Sequence, residues 1–281
     1  MRLIVSLLGL NRIFSFFNLF VYVWLLCSSV SFADELNVEA LRNKGVYNNN
    51  TIQNQNGIRN YQMLGSKGNV FRVFYPAGSY DPRSMKEMQQ PYGGMNFKWS
   101  PQSLRGRQCA LIQYSVRFPD DFDFVKGGKL PGLYGGIGNS GGVIPDGYDG
   151  FSVRLIWGKN GIGKVYAYIP QTQNIQKWGV GIADSKWSFT RGKWETITLQ
   201  IKLNSVGLSN GKMKLWLNNQ LVIDRTNIVY RKSNNLSLDG VMFSTFFGGN
   251  NSSFAPKRDQ YIDFRNIKMA DSFSKEMSCE I

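Results

Sequence analysis

Residues 126–170 read KGGKLPGLYGG, IGNSGGVIPDGYDG, FSVRLIW, GKNGI and GKVYAYIP, and two alternating runs inside this stretch set the architecture. Alternation assigns side chains to opposite faces of a strand. Phe151, Val153, Leu155 and Trp157 share one face, and Ser152 and Arg154 take the other. In the second run Val165, Ala167 and Ile169 share a face, with Tyr166 and Tyr168 opposite. GKNGI between them has the length and glycine content of a hairpin connection. If Trp157 pairs with Gly163, Arg154 faces Tyr166 and Ser152 faces Tyr168. One sheet face then carries a guanidinium, a hydroxyl and two phenols, with Lys129 framed by glycines upstream.

Outward from the hairpin, similar runs recur. VFRVFY (70–75), CALIQYSVRF (109–118), WETITLQIKL (194–203), MKLWLNNQLVID around the Asn218-Asn219 turn, DGVMFSTFF (239–247) and YIDFRNIKM (261–269) are rich in β-formers and bounded by turn residues. Helix-period segments are nearly absent, residues 76–100 read as loop, and 178–194 read as a long connection. The expectation is an all-β protein: one domain over 61–281, a single antiparallel β-jelly roll built as a two-sheet sandwich. Residues 34–60 are polar and Asn-rich and read as a flexible N-terminal leader, with one short helix over ELNVEALRNKG. Before it, Arg2 and Arg12, the apolar run 13–26 and Ser31-Phe32-Ala33 form a secretory signal pattern ending at residue 33. The apolar run is short of the ~20 residues that a spanning helix needs. The expected protein is therefore secreted, extracellular or periplasmic, and free of the membrane after signal removal.

The formal charge of the 281-residue chain is +14. An exported chain this basic suits an anionic partner, and polysaccharide fits at least as well as nucleic acid, for which no motif is present. Cys109 and Cys279 are the cysteines outside the signal, and in an oxidising compartment they are expected to form a disulfide. The chain has no histidine, which removes Ser-His-Asp and Cys-His catalysis of the usual kind and argues against zinc. Glu195 is the only glutamate between residues 88 and 275, so the carboxylate pair of a glycosidase is poorly supplied. Gly136–Gly141 matches GxGxxG without a βαβ context, and Asp120–Asp123 lacks the spacing of a calcium loop; both read as loops.

Proton abstraction beside a carboxylate survives this elimination. β-Elimination in a uronic acid chain needs the carboxylate neutralised, a base for the C5 proton and an acid for the departing O4. A tyrosine whose pKa is lowered by nearby Arg and Lys could serve as base and acid. In manno- and glucuronates both transfers occur on one side of the ring.

GGKLPGLYGG, the Ser-Val-Arg strand and the Tyr-Ala-Tyr strand that follows resemble polysaccharide lyase family fourteen, a group of alginate lyases, and the related glucuronan lyases of family twenty. The resemblance spans roughly 70–269. It implies a jelly roll with a concave substrate cleft, no metal or other cofactor, and Lys129, Arg154, Tyr166 and Tyr168 as catalytic residues. Ser152 and Lys126 are expected to bind substrate. The expected activity is cleavage of alginate, mannuronate-rich first, by a monomer. Glucuronan cleavage, or a non-catalytic sandwich that binds anionic carbohydrate, is the alternative.

Overall fold

The alternating runs become strands in the computed structural model, which describes residues 33–37, 46–47, 50–56, 60–65, 69–170, 178–182 and 187–280. All of them fall in one compact unit. Among the described residues the strands are β1 Ala33–Glu35, β2 Val46–Tyr47, β3 Asn50–Asn56, β4 Tyr61–Leu64, β5 Val70–Tyr75, β6 Met95–Pro101, β7 Cys109–Arg117 and β8 Gly127–Gly136. They continue as β9 Gly150–Gly158, β10 Gly163–Tyr168, β11 Val180–Gly181, β12 Trp194–Lys202, β13 Gly211–Leu217, β14 Gln220–Ile228, β15 Gly240–Phe247 and β16 Gln260–Ala270. One short helix, α1 (Pro82–Glu87), is capped by Asp81, whose carboxylate accepts from the backbone N–H of Ser84 at 3.1 Å.

Two antiparallel sheets form the sandwich. One runs β14-β13-β12-β7-β16-β5-β4, with β1 also on β16; the other runs β11-β10-β9-β8-β15-β6-β3-β2. The expected all-β, two-sheet, jelly-roll-like architecture is the observed one. The inward faces meet as expected from parity: Phe151, Val153, Leu155 and Trp157 have no exposure. Trp157 lies among Tyr75, Phe118, Phe122 and Phe247, with ring centroids 5.4–6.3 Å away. Truncating such a side chain typically costs about 3–5 kcal/mol.

Four segments add to or differ from the sequence reading. KGGKLPGLYGG, given no secondary structure from sequence, holds strand β8, paired on both edges by β9 and β15. Its glycines are required by closeness: a Cβ on Gly128 would lie 2.1 Å from the Trp157 ring, and one on Gly132 would lie 1.9 Å from the Val153 carbonyl oxygen. Pro131 sits at a register shift between Leu130 and Gly132, where its missing N–H disturbs the ladder least. Its carbonyl accepts from the Tyr114 hydroxyl of the other sheet at 3.2 Å.

Residues 76–100 hold α1 and most of β6, whose Met95, Phe97 and Trp99 alternate into the core. Polar residues 50–56 form β3 against β6, since backbone pairing does not need an apolar side chain. At the N-terminus Ala33–Glu35 pairs with β16 as a strand. The remainder of the expected helix lies, from residue 38 onward, outside the described residues, as does the expected signal segment up to residue 32.

Candidate active site

The polar face of the β9–β10 hairpin points away from the core. Arg154 is paired with Tyr166, and Ser152 with Tyr168, in the register expected from the turn. On the next strand Gly132 lies opposite Arg154 and Tyr134 opposite Ser152. Because Gly132 has no side chain, Arg154 reaches across β8 to β15, where its Nη1 donates to the Ser244 hydroxyl at 3.1 Å. Lys129, in register with Ile156 and Phe246, brings its Nζ to 4.4 Å from the Tyr166 ring centroid. The rings of Tyr166 and Tyr168 are perpendicular, 5.6 Å apart. Lys129, Arg154, Tyr166 and Tyr168 are thus brought together by strand parity and two inter-strand registers.

Electrostatically, the group is short of negative charge. Arg154 is only 4% exposed, and among the described residues it forms no ion pair and its Nε has no hydrogen-bond partner. Burial lowers its pKa, offset in part by Tyr168 and Tyr166. A buried cation without a counter-ion is costly, and a ligand carboxylate would remove that cost. Burial, with repulsion from Arg154, pushes the Lys129 ammonium down to about 7, with Asp81 pulling the other way.

Tyr166 corrects an expectation. Its neighbouring cations were expected to lower the phenol, but burial and the interaction with Tyr168 raise it, outweighing Arg154 and a backbone hydrogen bond at Gly179. The resting Tyr166 is therefore a protonated acid. The half-buried lysine is the group that titrates near neutrality.

The two expected substrate ligands both make hydrogen bonds within the protein. Ser152 is fully buried, and its hydroxyl donates to the Asn139 carbonyl at 2.6 Å. That bond fixes the 137–149 connection over the hairpin. The same connection reaches Tyr168, whose hydroxyl accepts from the Gly142 N–H at 3.0 Å. The Asn139 amide in turn donates to the Asp149 carboxylate at 3.1 Å. Lys126 is exposed, donates to the Ser253 hydroxyl at 2.9 Å and sits 5.7 Å from the Phe254 ring, tying down the turn after β15. Sequence reasoning missed Ser244 and Asn96, which join the site through Arg154. The Ser244 hydroxyl donates to the Asn96 Oδ1 at 2.7 Å. Alternation in MNFKWS and in VMFSTFF was the available signal for both. Among the described residues no three His, Cys, Asp or Glu side chains converge as metal ligands.

Comparison with known proteins places the antiparallel β-sandwich that carries these residues in a family. The polysaccharide lyase 14 family model matches residues 64–267, and the chain belongs to that family. Among solved structures, the marine alginate lyase of this family from Aplysia kurodai is 29% identical, covering 78% of this chain and 89% of that one at a TM-score of 0.68. An alginate lyase from Chlorella virus shares the fold at 22% identity and a TM-score of 0.69, over 84% of this chain and 98% of that one. The protein named exolysin, of Paramecium bursaria Chlorella virus 1, is 26% identical over 62% of this chain. The match spans 31% of that relative, about a third of its length.

Proposed function

We propose that this chain is a polyuronate lyase that cleaves 1,4-linked uronic acid chains, mannuronate-rich alginate first, by β-elimination. The observation that carries the reading is Arg154, a buried guanidinium with no carboxylate partner among the described residues, beside a lysine pushed down to about 7 and a phenol held protonated. Environments that push two titratable groups apart assign acid and base. Arg154 takes the uronate carboxylate and stabilises the charge that develops as C5 loses its proton. The neutral Lys129 amine accepts that proton, the C5–H electron pair becomes the C4=C5 bond, and the C4–O4 bond breaks. Tyr166 gives its proton to O4, while Tyr168, held by Gly142, orients Tyr166. The products are a new reducing end and a chain with an unsaturated non-reducing end. Incubation of the protein with alginate, and in parallel with glucuronan, tests this through the ultraviolet absorbance of the new double bond. Absorbance that stays flat on every polyuronate would overturn it.

A non-catalytic binder of anionic carbohydrate is the second reading, favoured only by the same unpaired cations. It expects saccharide binding with no new double bond. The partner in either case is an anionic polysaccharide, met outside the cytoplasm. The Cys109–Cys279 disulfide suits an oxidising compartment, and among the described residues no helix is long and apolar enough to cross a membrane. All the proposed catalytic groups lie in one chain, which supports action as a monomer; gel filtration at working concentration checks it.

A further inference from the structure

The hydrogen-bond chain behind Arg154 fixes the direction of a side chain that nothing so far has assigned. Arginine can only donate, so at 3.1 Å the Ser244 oxygen is the acceptor of the Arg154 Nη1–H. Ser244 is 3% exposed, and its single proton must find an acceptor or be left buried and unsatisfied at a cost. The acceptor is Asn96, 2.7 Å away. Were the Asn96 amide turned around, Ser244 would receive two donors and its own proton would have none. The chain Arg154 to Ser244 to Asn96 therefore sets Asn96 with Oδ1 inward and Nδ2 away from Ser244. Asn96 is half-buried, and among the described residues no acceptor meets that Nδ2.

We propose that Asn96 is a carboxylate-binding residue of this site. Its NH₂ joins Arg154 on the uronate carboxylate, and Ser244 is the positioning residue that holds both. The inference rests on the lyase reading given above and adds to it. A guanidinium alone neutralises the carboxylate in the ground state. An amide donor aimed at the same group strengthens as charge moves onto the carboxylate oxygens when C5 is deprotonated, so its contribution falls mainly on kcat. Asn96 and Arg154 come from β6 and β9, with β8 and β15 between them. The carboxylate clamp is thus built across four strands and not within the hairpin.

Asn96→Asp tests this most directly. A carboxylate at position 96 still accepts from Ser244, so the internal bond and the fold are kept, while the outward donor becomes a negative acceptor facing the substrate. Thermal unfolding and gel filtration should match the wild-type protein. Asn96→Asp should lower kcat/KM on alginate by a hundredfold or more at neutral pH, with the deficit shrinking as pH falls and position 96 is protonated. Asn96→Ala should lower kcat by about tenfold to a hundredfold with KM changed less, and its deficit should not depend on pH in that range. Wild-type kcat/KM in Asn96→Asp, or a deficit that ignores pH, would overturn the assignment of Asn96 and leave the lyase reading intact. A wild-type protein inactive on every polyuronate would remove both together, so the two failures are told apart by the wild-type control.

Discussion

In the proposed mechanism Lys129 and Tyr166 divide the acid–base work because one environment acts on two charge types. Desolvation disfavours the charged form, so it lowers a lysine and raises a phenol. Here it sets Lys129 to about 7 and Tyr166 well above its ordinary value. If the free amine is the base, kcat/KM, which reports the free enzyme, should rise through about pH 7. The same limb in kcat should sit higher, because a bound uronate carboxylate favours the ammonium. A kcat/KM that falls through that range would make Lys129 a cationic partner instead. Lys129→Arg keeps a charge but cannot deprotonate, and should lower kcat by roughly 10²–10⁴. Tyr166→Phe removes the proton donor to O4 and should cost a similar factor in kcat with KM little changed, measured on alginate. A pure binder would show neither loss. The face that Tyr166 shares with Arg154 could be read from alternation, whereas the face of Lys129 could not. The direction of the Tyr166 shift could not, because it depends on how deeply the strand face is covered.

Among the elements, β8 shows most clearly why some of the fold was legible and some was not. The β9–β10 hairpin is local: four residues join its strands, and the turn fixes the register that places Arg154 opposite Tyr166. Strand β8 is joined to β9 on one edge and to β15, about a hundred residues later, on the other. Its glycines look like loop chemistry until neighbours are placed against them. Gly132→Ala would put a Cβ 1.9 Å from the Val153 carbonyl oxygen and 2.7 Å from the Arg154 Cα. Backbone cannot yield there as a side chain can, so the variant should lose at least about 1–3 kcal/mol in chemical denaturation. It should also lose activity through displacement of Arg154. Strand β6 was hidden because PAGSYDPRS and PYGGM lead into it with turn residues, although Met95, Phe97 and Trp99 alternate cleanly.

Across the whole molecule the two sheets have different duties. The site occupies the outer face of one. On the other, Asp263 is fully buried between Arg72 and Arg117, at 2.8 and 2.7 Å. Arg72 lies over Tyr261, and Arg117 and Arg265 lie over Trp194, so Arg72 and Arg117 have a carboxylate partner inside the fold. The disulfide joins Cys109 at the start of β7 to Cys279 across 170 residues. It holds the C-terminal segment, whose Met277 packs on Leu111 and Trp216. Closing so long a loop is worth up to about 5 kcal/mol. Reduction, or Cys109→Ser with Cys279→Ser, should lower the unfolding free energy by about 2–5 kcal/mol while leaving kcat/KM on alginate nearly unchanged at temperatures where the fold persists. Loss of activity in parallel with stability under those conditions would mean that the two faces are coupled.

The sequence carried the all-β class, the inward and outward faces, the hairpin register and the chemistry left open by absent histidine, because period-two alternation and short turns are local properties. Tertiary structure alone supplied β8 as a strand, the internal hydrogen bonds of Ser152 and Lys126, and the Ser244–Asn96 support of Arg154. Those contacts join residues 90 and 148 positions apart. The order of strands in a sheet, which brings such distant residues together, is set by burial over the whole chain and leaves no mark in any single stretch of it.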